Sequence, residues 1–517
     1  MKRWKVAISA ITILVIVLTL ALTGCSKAPQ VSRELKVRLP EFGTGYDPAQ
    51  LGILIDFPVA NNIFNALLKF KAGTTELVPD LATAMPTVSD DHLTYTFKLR
   101  QGVKWQKGYG ELTSDDVKFT FERIKDPATK ARNASQYAVI KSIDTPDKYT
   151  VVFHLTKPDP TFLTKVANLR QGFIVSKAAV QKLGADYNRN PVGTGPFQMD
   201  HWTDKTEVVL TANKDYFEGA PWLQKITYLP IADDSVAAMS LQKGETDVFI
   251  YVASPDTLTK LKSDPNVKIS VLPSPGGDLL AFNVKQKPFN DIKVRQAIAY
   301  AINIDEFLSK VIGPLGVKGY GPLGEGMMGF TKDVKQYPYD PEKAKQLLKD
   351  AGYANGLSFE ITLPSADAFT IPYTAIQGYL KAVGIDMKMN LVDSGAWVAA
   401  MGSGKLLASD LGYGARPDPE VLLRQFYHSS AFPPGSNFMY YDGADALIDQ
   451  GANEFDQSKR ADIYKKVQQK VMEDLPVIPL YFAAETDAYR SDIQGFQAGI
   501  FFDYNFYNVK RVPPTKK

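Results

Sequence analysis

Apolar and polar residues alternate in several short segments of the chain, and this period of two is typical of half-buried β-strands. Such strands are predicted at 35–39, 94–99, 150–155 and 385–391. Apolar residues at helical spacing predict amphipathic helices at 115–124, 341–351 and 458–473. Strands and helices follow one another without a fixed repeat, so the pattern favours a mixed α/β protein.

Local signals mark where these elements begin and end. Thr113 can cap the first helix, and Asp115 and Asp116 suit its first turn. Asp340 opens the second helix, Pro341 suits its first turn, and Gly352 can end it. Glycine and proline cluster at three further places, where we predict loops at which the chain changes direction or domain: 191–196, 273–277 and 412–419.

The N-terminal region has the pattern of an export signal. A basic start at 2–5 precedes an apolar run at 6–22, which ends in Leu22-Thr23-Gly24-Cys25. This tetrapeptide resembles the lipobox of bacterial lipoproteins, which implies a signal segment at 1–25, a lipidated Cys25 and a short polar tether at 26–33. The alternative is an uncleaved anchor helix, because the run is near the lower limit for spanning a bilayer. Both interpretations place the protein outside the cytoplasm at a membrane surface.

Length and charge narrow the remaining possibilities. A chain of 517 residues is too long for one core, so two or three domains are expected. The net charge of +3 is small and the basic residues are dispersed, which gives no support to nucleic-acid binding. Cys25 is the single cysteine, so disulfides cannot form within the chain.

The sequence contains no pattern typical of a catalytic or metal site. The four histidines are scattered and have no metal-ligand spacing, so we expect structural or surface roles for His92, His154, His201 and His428. No Gly-x-Ser-x-Gly elbow occurs, and the glycine-rich loop at 191–196 is not followed by Lys-Ser/Thr. We therefore predict a protein that is not an enzyme and that needs neither a metal nor a cofactor.

Several segments spread over most of the chain resemble the extracytoplasmic solute-binding proteins of family 5, the peptide/nickel class of ABC transporter receptors. The motif Asn190-Pro191-Val192-Gly193-Thr194-Gly195-Pro196-Phe197 is characteristic. The other matching segments follow in the family order at 78–82, 89–105, 112–117, 213–217, 244–247, 287–298, 300–303, 339–344 and 351–353. Each motif alone is modest, but their shared order makes a chance match improbable.

The resemblance implies an α/β fold of the type II periplasmic-binding-protein class, with two lobes, a hinge and an extra subdomain on the first lobe. It places lobe I at 34–60, 190–280 and 485–517, the extra subdomain at 61–189 and lobe II at 281–484. The lobes would rotate about chain crossings near Asn283 and Ala484. The aromatic residues near the C-terminus, at 501–507, are interpreted as packing of a segment that returns to lobe I.

The ligand is expected between the lobes, against loops at their interface. The predicted contact residues are Phe42, Tyr46, Gly277, Asp278, Trp397, Tyr413, Gly414, Ala415, Arg416 and Asp418. Trp397 and Tyr413 could form apolar walls with polar edges, although Trp397 could equally belong to the core of lobe II.

One loop departs from the family pattern. In peptide-binding members, an aspartate in the loop equivalent to 412–420 grips the α-ammonium of the peptide, and an ungapped match puts Ala415 at that position. The adjacent Arg416 offers a planar fork suited to a carboxylate or phosphate. The alternative is that Arg416 pairs with Asp418 or Glu420 in a structural loop.

The resemblance implies a lipid-anchored, monomeric receptor that captures a small solute and delivers it to the permease subunits of an ABC importer. The solute would be an oligopeptide or a peptide-like or anionic metabolite. One alternative is a nickel chelate, and another is a stand-alone receptor or chaperone of the same fold without transport. An extracellular hydrolase or metalloenzyme would need clustered histidines and carboxylates, which the sequence does not offer.

Overall fold

The computed structural model describes residues 31–51, 54–167, 172–414, 416–499 and 501–512. The predicted lipidation site Cys25 and the apolar run at 6–22 lie outside these residues. Among the described residues, no helix combines the length and the apolar character needed to cross a membrane.

The described residues form one large mixed sheet and three small sheets. The strands are β1 (Glu34–Leu39), β2 (Leu68–Phe70), β3 (Leu77–Pro79), β4 (Thr87–Val88), β5 (Thr94–Lys98), β6 (Ile140–Asp147), β7 (Thr150–Leu155), β8 (Phe197–Thr203), β9 (Glu207–Ala212), β10 (Lys225–Pro230), β11 (Val248–Phe249), β12 (Val267–Phe282), β13 (Gly316–Val317), β14 (Leu357–Pro364), β15 (Ile385–Val392), β16 (Ala408–Tyr413), β17 (Val477–Arg490), β18 (Ile493–Gln494) and β19 (Lys510–Arg511).

The α-helices pack around these sheets. They are Phe57–Ile63, Ser114–Lys125, Phe162–Lys165, Lys177–Leu183, Asp234–Lys243, Pro255–Lys262, Ile292–Ala301, Ile304–Phe307, Pro341–Asp350, Asp367–Ala382, Ser394–Gly402, Pro419–Tyr427, Asp445–Asn453 and Gln457–Asp474. The prediction of a mixed α/β protein is confirmed.

The large sheet runs in the order β15-β14-β16-β12-β17-β11-β1-β10-β9-β8, with β13 also paired to β17. Two long antiparallel strands, β12 and β17, occupy its centre and belong to both halves. The last part of β17 pairs with β11, which in turn pairs with β1. The last part of β12 pairs with β16, which in turn pairs with β14. The lobes are therefore linked by two neighbouring strands.

The loop predicted at 273–277 is wrong, because β12 continues through it. Pairing with β17 passes from Pro273 opposite Ala484 to Gly277 opposite Phe482, so three residues of β12 bulge against one of β17. A bulge tolerates prolines, which cannot donate to the ladder. Gly277 is required here, since a Cβ atom would come within 2.8 Å of the Phe482 ring. The irregular register precedes Asn283 on β12 and lies next to Ala484 on β17. Rotation of the lobes about these two crossings stays a prediction.

The predicted helix signals at Thr113, Asp340 and Gly352 are confirmed. Thr113 and Asp116 form a reciprocal capping box at the start of Ser114–Lys125. Asp340 accepts a hydrogen bond from the Lys343 amide at 2.9 Å, and Gly352 follows the helix with a φ of 88°. Reciprocal capping satisfies backbone donors that a helix start leaves unpaired.

A separate four-stranded sheet, β4-β5-β7-β6, lies within the segment predicted as the extra subdomain. Its buried side chains, such as Phe97 and Phe153, join a continuous core with those of β1 and β10. Phe501, Phe502, Tyr504 and Phe506 belong to this core as well, and the Phe506 amide donates to Asn62 Oδ1 at 2.9 Å. The C-terminal segment therefore packs on the first lobe, while the exact subdomain boundaries stay a prediction.

Candidate functional site

A cavity of about 1620 Å³ lies where β12 and β17 pass between the two halves of the sheet. One wall comes from the irregular part of β12, the end of β16 and the loop that follows it. The opposite wall comes from residues 135–139 and 156–165 of the subdomain that carries the small sheet. The cavity exceeds the range of about 300–1,000 Å³ that is usual for a small-molecule pocket, so it can hold a ligand larger than a single amino acid.

Six predicted contact residues line this cavity, namely Gly277, Asp278, Trp397, Tyr413, Gly414 and Arg416. Phe42, Tyr46 and Asp418 do not line it. Ala415 lies outside the described residues. The residues predicted on β12 and in the loop after β16 thus lie at the cavity, those predicted at 42–48 do not, and the ligand contacts themselves stay a prediction.

Tyr46 and Phe42 belong to the packing of the first lobe. Tyr46 is completely buried, with its ring centroid 5.3 Å from that of Trp202, and its amide donates to the Asn188 carbonyl at 2.9 Å. Phe42 packs against the same core. Both aromatic rings are held by residues far away in the sequence, so neither reaches the cavity.

Asp418 has a structural partner. Its carboxylate accepts two hydrogen bonds from Arg460, at 2.6 and 2.8 Å, and one from the Glu420 amide at 2.9 Å, which caps the helix Pro419–Tyr427. Glu420 is paired with Arg424. Arg416 lies half-buried at the cavity.

The aromatic residues of the cavity wall are fixed in orientation. Trp397 is half-buried, donates its Nε1–H to Ser409 Oγ at 2.9 Å and packs near Phe369. Tyr413 stacks on Phe426 at 5.5 Å, and its hydroxyl donates to the Pro322 carbonyl. Rings held in this way present a rigid surface, which reduces the entropy lost when a ligand packs against them.

Four buried carboxylates lie on the strands that link the lobes or next to them: Asp278, Asp410, Glu485 and Asp487. Asp278 alone was a predicted contact residue. Burial raises the pKa of Asp278 to about 6 despite a hydrogen bond from Tyr481. Burial, and then the charge of Asp278, hold the pKa of Asp410 well above its usual range. Asp410 is 1% exposed and accepts from the Tyr373 hydroxyl at 3.0 Å.

Glu485 and Asp487 form a second acidic pair, on β17. Burial and the neighbouring Asp487 raise the pKa of Glu485 to about 8, and burial raises the pKa of Asp487 to about 7. Glu485 lines the cavity, whereas Asp487 is enclosed between Tyr251 and Tyr504. The sequence contains a signal for these residues, because acidic residues interrupt otherwise apolar strands. Glu485 and Asp487 are two positions apart, and Asp278 follows a glycine.

The histidines occupy separate places, as predicted. His92 stacks on Phe455, His154 contacts Asp144, His201 contacts Asp200 and Glu207, and His428 contacts Asp449. Within the part of the chain that the structure describes, no group of three or more histidine, cysteine or acidic residues could hold a metal ion.

Residues 76–433 match the family model "Bacterial extracellular solute-binding proteins, family 5 Middle". The chain belongs to family 5 of the bacterial extracellular solute-binding proteins. It is 30% identical to the dipeptide-binding protein of Escherichia coli K12 over 499 residues, which cover 90% of each chain. It is 29% identical over 495 residues to the glutathione-binding protein GsiB of the same strain, covering 92% of this chain and 94% of that protein.

Solved structures agree with this assignment. HbpA2 from Haemophilus parasuis superposes with a TM-score of 0.86 at 26% identity, covering 93% of this chain and all of that one. DppA from Helicobacter pylori, in complex with the peptide STSA, gives 0.72 at 29% identity and covers 93% and 98%. NikZ from Campylobacter jejuni, in complex with Ni(L-His), gives 0.72 at 26% identity and covers 93% and 100%.

These comparisons confirm the family and the two-lobed type II fold. Members of this family bind solutes without transforming them, so the chain is a binding protein and not an enzyme. Family members act outside the cytoplasm, and a cavity between two linked lobes is the site such a protein requires.

Proposed function

We propose that this protein is the lipid-anchored substrate-binding component of an ABC importer and that it captures short peptides or peptide-like solutes between its lobes. The observation that supports this most directly is the cavity at the crossing of β12 and β17, which is lined by both lobes and has charged groups of both signs. The relatives named for peptide and glutathione binding support the ligand class.

A thermal-shift screen tests the ligand class, because a ligand that binds the native state alone raises the melting temperature by mass action. Dipeptides, tripeptides and glutathione should raise the melting temperature, whereas sugars should not. Solution scattering with a saturating peptide should show a smaller radius of gyration, because the lobes close on the ligand. If nickel-histidine chelate alone stabilised the protein, the peptide assignment would be wrong and the nickel alternative would replace it.

Cys25 is expected to carry the membrane anchor. Each buried methylene of an attached acyl chain contributes about 0.8 kcal/mol, and two or more chains give stable attachment. Cys25→Ser should release the protein from the membrane fraction or leave it unprocessed. Mass spectrometry of the mature wild-type N-terminus provides the direct check, and an unmodified Cys25 there would contradict the anchor.

Arg416 is expected to bind an anionic group of the ligand. A guanidinium can donate two parallel hydrogen bonds to a carboxylate, and a charge-assisted contact of this kind contributes roughly 1.5–3 kcal/mol. Arg416→Ala should therefore weaken binding of the dipeptide Ala-Ala by about ten- to hundred-fold in calorimetry. Arg416→Lys should restore only part, because lysine lacks the planar fork. Unchanged affinity in Arg416→Ala would show that the ligand carboxylate binds elsewhere.

A further inference from the structure

Asp278 and Asp410 lie on neighbouring strands and point to the same face of the sheet. In the antiparallel pairing of β12 with β16, Asp278 is opposite Gly412 and Leu280 is opposite Asp410. Side chains at positions opposite each other, and two residues apart, share a face. Gly412 therefore lies between the two carboxylates, and both Gly412 and Asp278 line the cavity.

The absence of a side chain at Gly412 keeps this space open. A Cβ atom at this position would lie 3.0 Å from Asp410 Oδ2 and 3.2 Å from Asp278 Oδ1. The two oxygens thus lie close to the position that a Gly412 side chain would occupy, although Asp278 and Gly412 line the cavity and Asp410 is buried beside them. We call the space bounded by Asp278, Asp410 and Gly412 the acidic notch.

No cation of the described residues pairs with the acidic notch. The groups that face it are the hydroxyls of Tyr373 and Tyr481 and the Gly412 amide, of which Tyr373 donates to Asp410 Oδ1. Asp410 Oδ2 has no hydrogen-bond partner of normal geometry although the residue is 1% exposed. A buried carboxylate oxygen without a partner is costly, and it is rare in proteins unless a ligand completes it.

We infer that the acidic notch binds the primary ammonium group of the ligand while Arg416 binds its carboxylate. The substrate class is then a zwitterionic amino-acid derivative or a short peptide with a free amino terminus. This inference rests on the proposed function. It also accounts for Ala415, because the loop position that resembles the ammonium anchor of peptide-binding relatives carries no charge here. An ammonium group has three donors, enough to reach the unpaired Asp410 Oδ2 and the Asp278 carboxylate together.

Blocked peptides test this assignment directly. Calorimetry would compare Ala-Ala with N-acetyl-Ala-Ala, which lacks the ammonium, and with Ala-Ala amide, which lacks the carboxylate. The wild type should bind the acetylated peptide about ten- to hundred-fold more weakly than Ala-Ala. Asp278→Asn and Asp410→Asn should bind Ala-Ala and N-acetyl-Ala-Ala with nearly equal affinity. Arg416→Ala should bind Ala-Ala and Ala-Ala amide with nearly equal affinity.

Two further variants separate binding from structure. Gly412→Ala keeps both charges but fills the notch, so it should weaken Ala-Ala by at least about ten-fold. Asp90→Asn, at an exposed aspartate in the turn between β4 and β5, is the matched control and should bind Ala-Ala as the wild type does. The empty Asp410→Asn protein should melt close to the wild type, because burial and Asp278 raise the pKa of Asp410 and favour a neutral carboxyl, which an amide of the same shape replaces.

Three results would overturn the inference. Equal binding of Ala-Ala and its acetylated form by the wild type would show that no ammonium is recognised. A strong loss of stability in Asp410→Asn, with the discrimination intact, would make the notch a structural pair. Failure of the wild type to bind any unblocked peptide would reject the zwitterionic substrate class, whereas the receptor role would still stand if the wider screen found another solute.

Discussion

Replacing Arg460 by methionine should lower the free energy of unfolding by about 3–5 kcal/mol, since removing one partner of a buried ion pair leaves the other charge uncompensated. Arg460 and Asp418 are 1% and 2% exposed, and two hydrogen bonds of 2.6 and 2.8 Å join them. Arg460 also donates to the Gly451 carbonyl at 2.9 Å. Arg460 therefore links the helix Gln457–Asp474 to the start of Pro419–Tyr427 and to the last turn of Asp445–Asn453. Urea unfolding measures the stability lost in Arg460→Met.

Arg424 provides a matched control on the same face of the second lobe. It pairs with Glu420 and Asp449, but its side chain is 33% exposed and that of Asp449 is 55% exposed. Solvent-exposed pairs contribute about 0.2–1 kcal/mol. Arg424→Met should therefore cost less than about 1 kcal/mol. Equal losses in the two variants would show that burial does not set the strength of the Arg460 pair.

The regular elements of the fold could be predicted because their signals are local. The alternation at 150–155 and the capping residues at Thr113 and Asp340 depend on neighbours within one turn or one strand. The segment at 273–277 could not be predicted in this way. Its prolines and glycines indicate a loop, but the partner strand β17, which lies about two hundred residues later in the chain, draws the segment into the sheet.

The predicted site residues differ in the same way, according to whether local sequence or distant packing decides their position. Family motifs led to Asp278 and Arg416, which both line the cavity. The same motifs led to Tyr46, whose burial depends on Trp202 and Asn188, residues that no local pattern connects to it. Distant packing partners decide whether an aromatic residue is a wall of a cleft or part of a core.

Asp410 and Glu485 could not be recognised from the sequence because each stands inside a strand and not in the loops to which the resemblance points. A buried acidic residue in an apolar strand is uncommon unless it is paired, so an aspartate or glutamate inside an apolar run is itself a signal of a polar partner or a ligand. The sequence could not show, however, that Gly412 opens the space between Asp278 and Asp410. That relation follows from the pairing register of β12 and β16.

Raising the pH from 5 to 9 should destabilise the empty wild-type protein relative to Glu485→Gln, by on the order of 3 kcal/mol. The folded pKa of Glu485 is raised from 4.5 to about 8 by burial and by Asp487, and no cation compensates the carboxylate within the described residues. Between these two values the folded state binds more protons than the unfolded state, so the free energy of unfolding falls as the pH rises. The contribution of the neutral carboxyl is fully present below about pH 4.5 and is lost as the pH passes 8.

Glutamine cannot ionise, so Glu485→Gln should not lose this contribution, and its stability relative to the wild type should increase steadily with pH. The groups that face Glu485 are Asp487, Ser274, Tyr251 and Tyr504. The pKa of Asp487 is itself raised to about 7, which adds to the trend in the same direction. Glu111→Gln is the control, because hydrogen bonds from Lys148, Tyr149 and the Gly102 amide lower the pKa of this half-buried glutamate to about 2. Glu111 is ionised in both states throughout this range, so its replacement should have an effect that does not change between pH 5 and 9. Urea unfolding at four pH values would distinguish the two variants. If the stability difference between Glu485→Gln and the wild type stayed constant with pH, Glu485 would ionise normally in the folded protein.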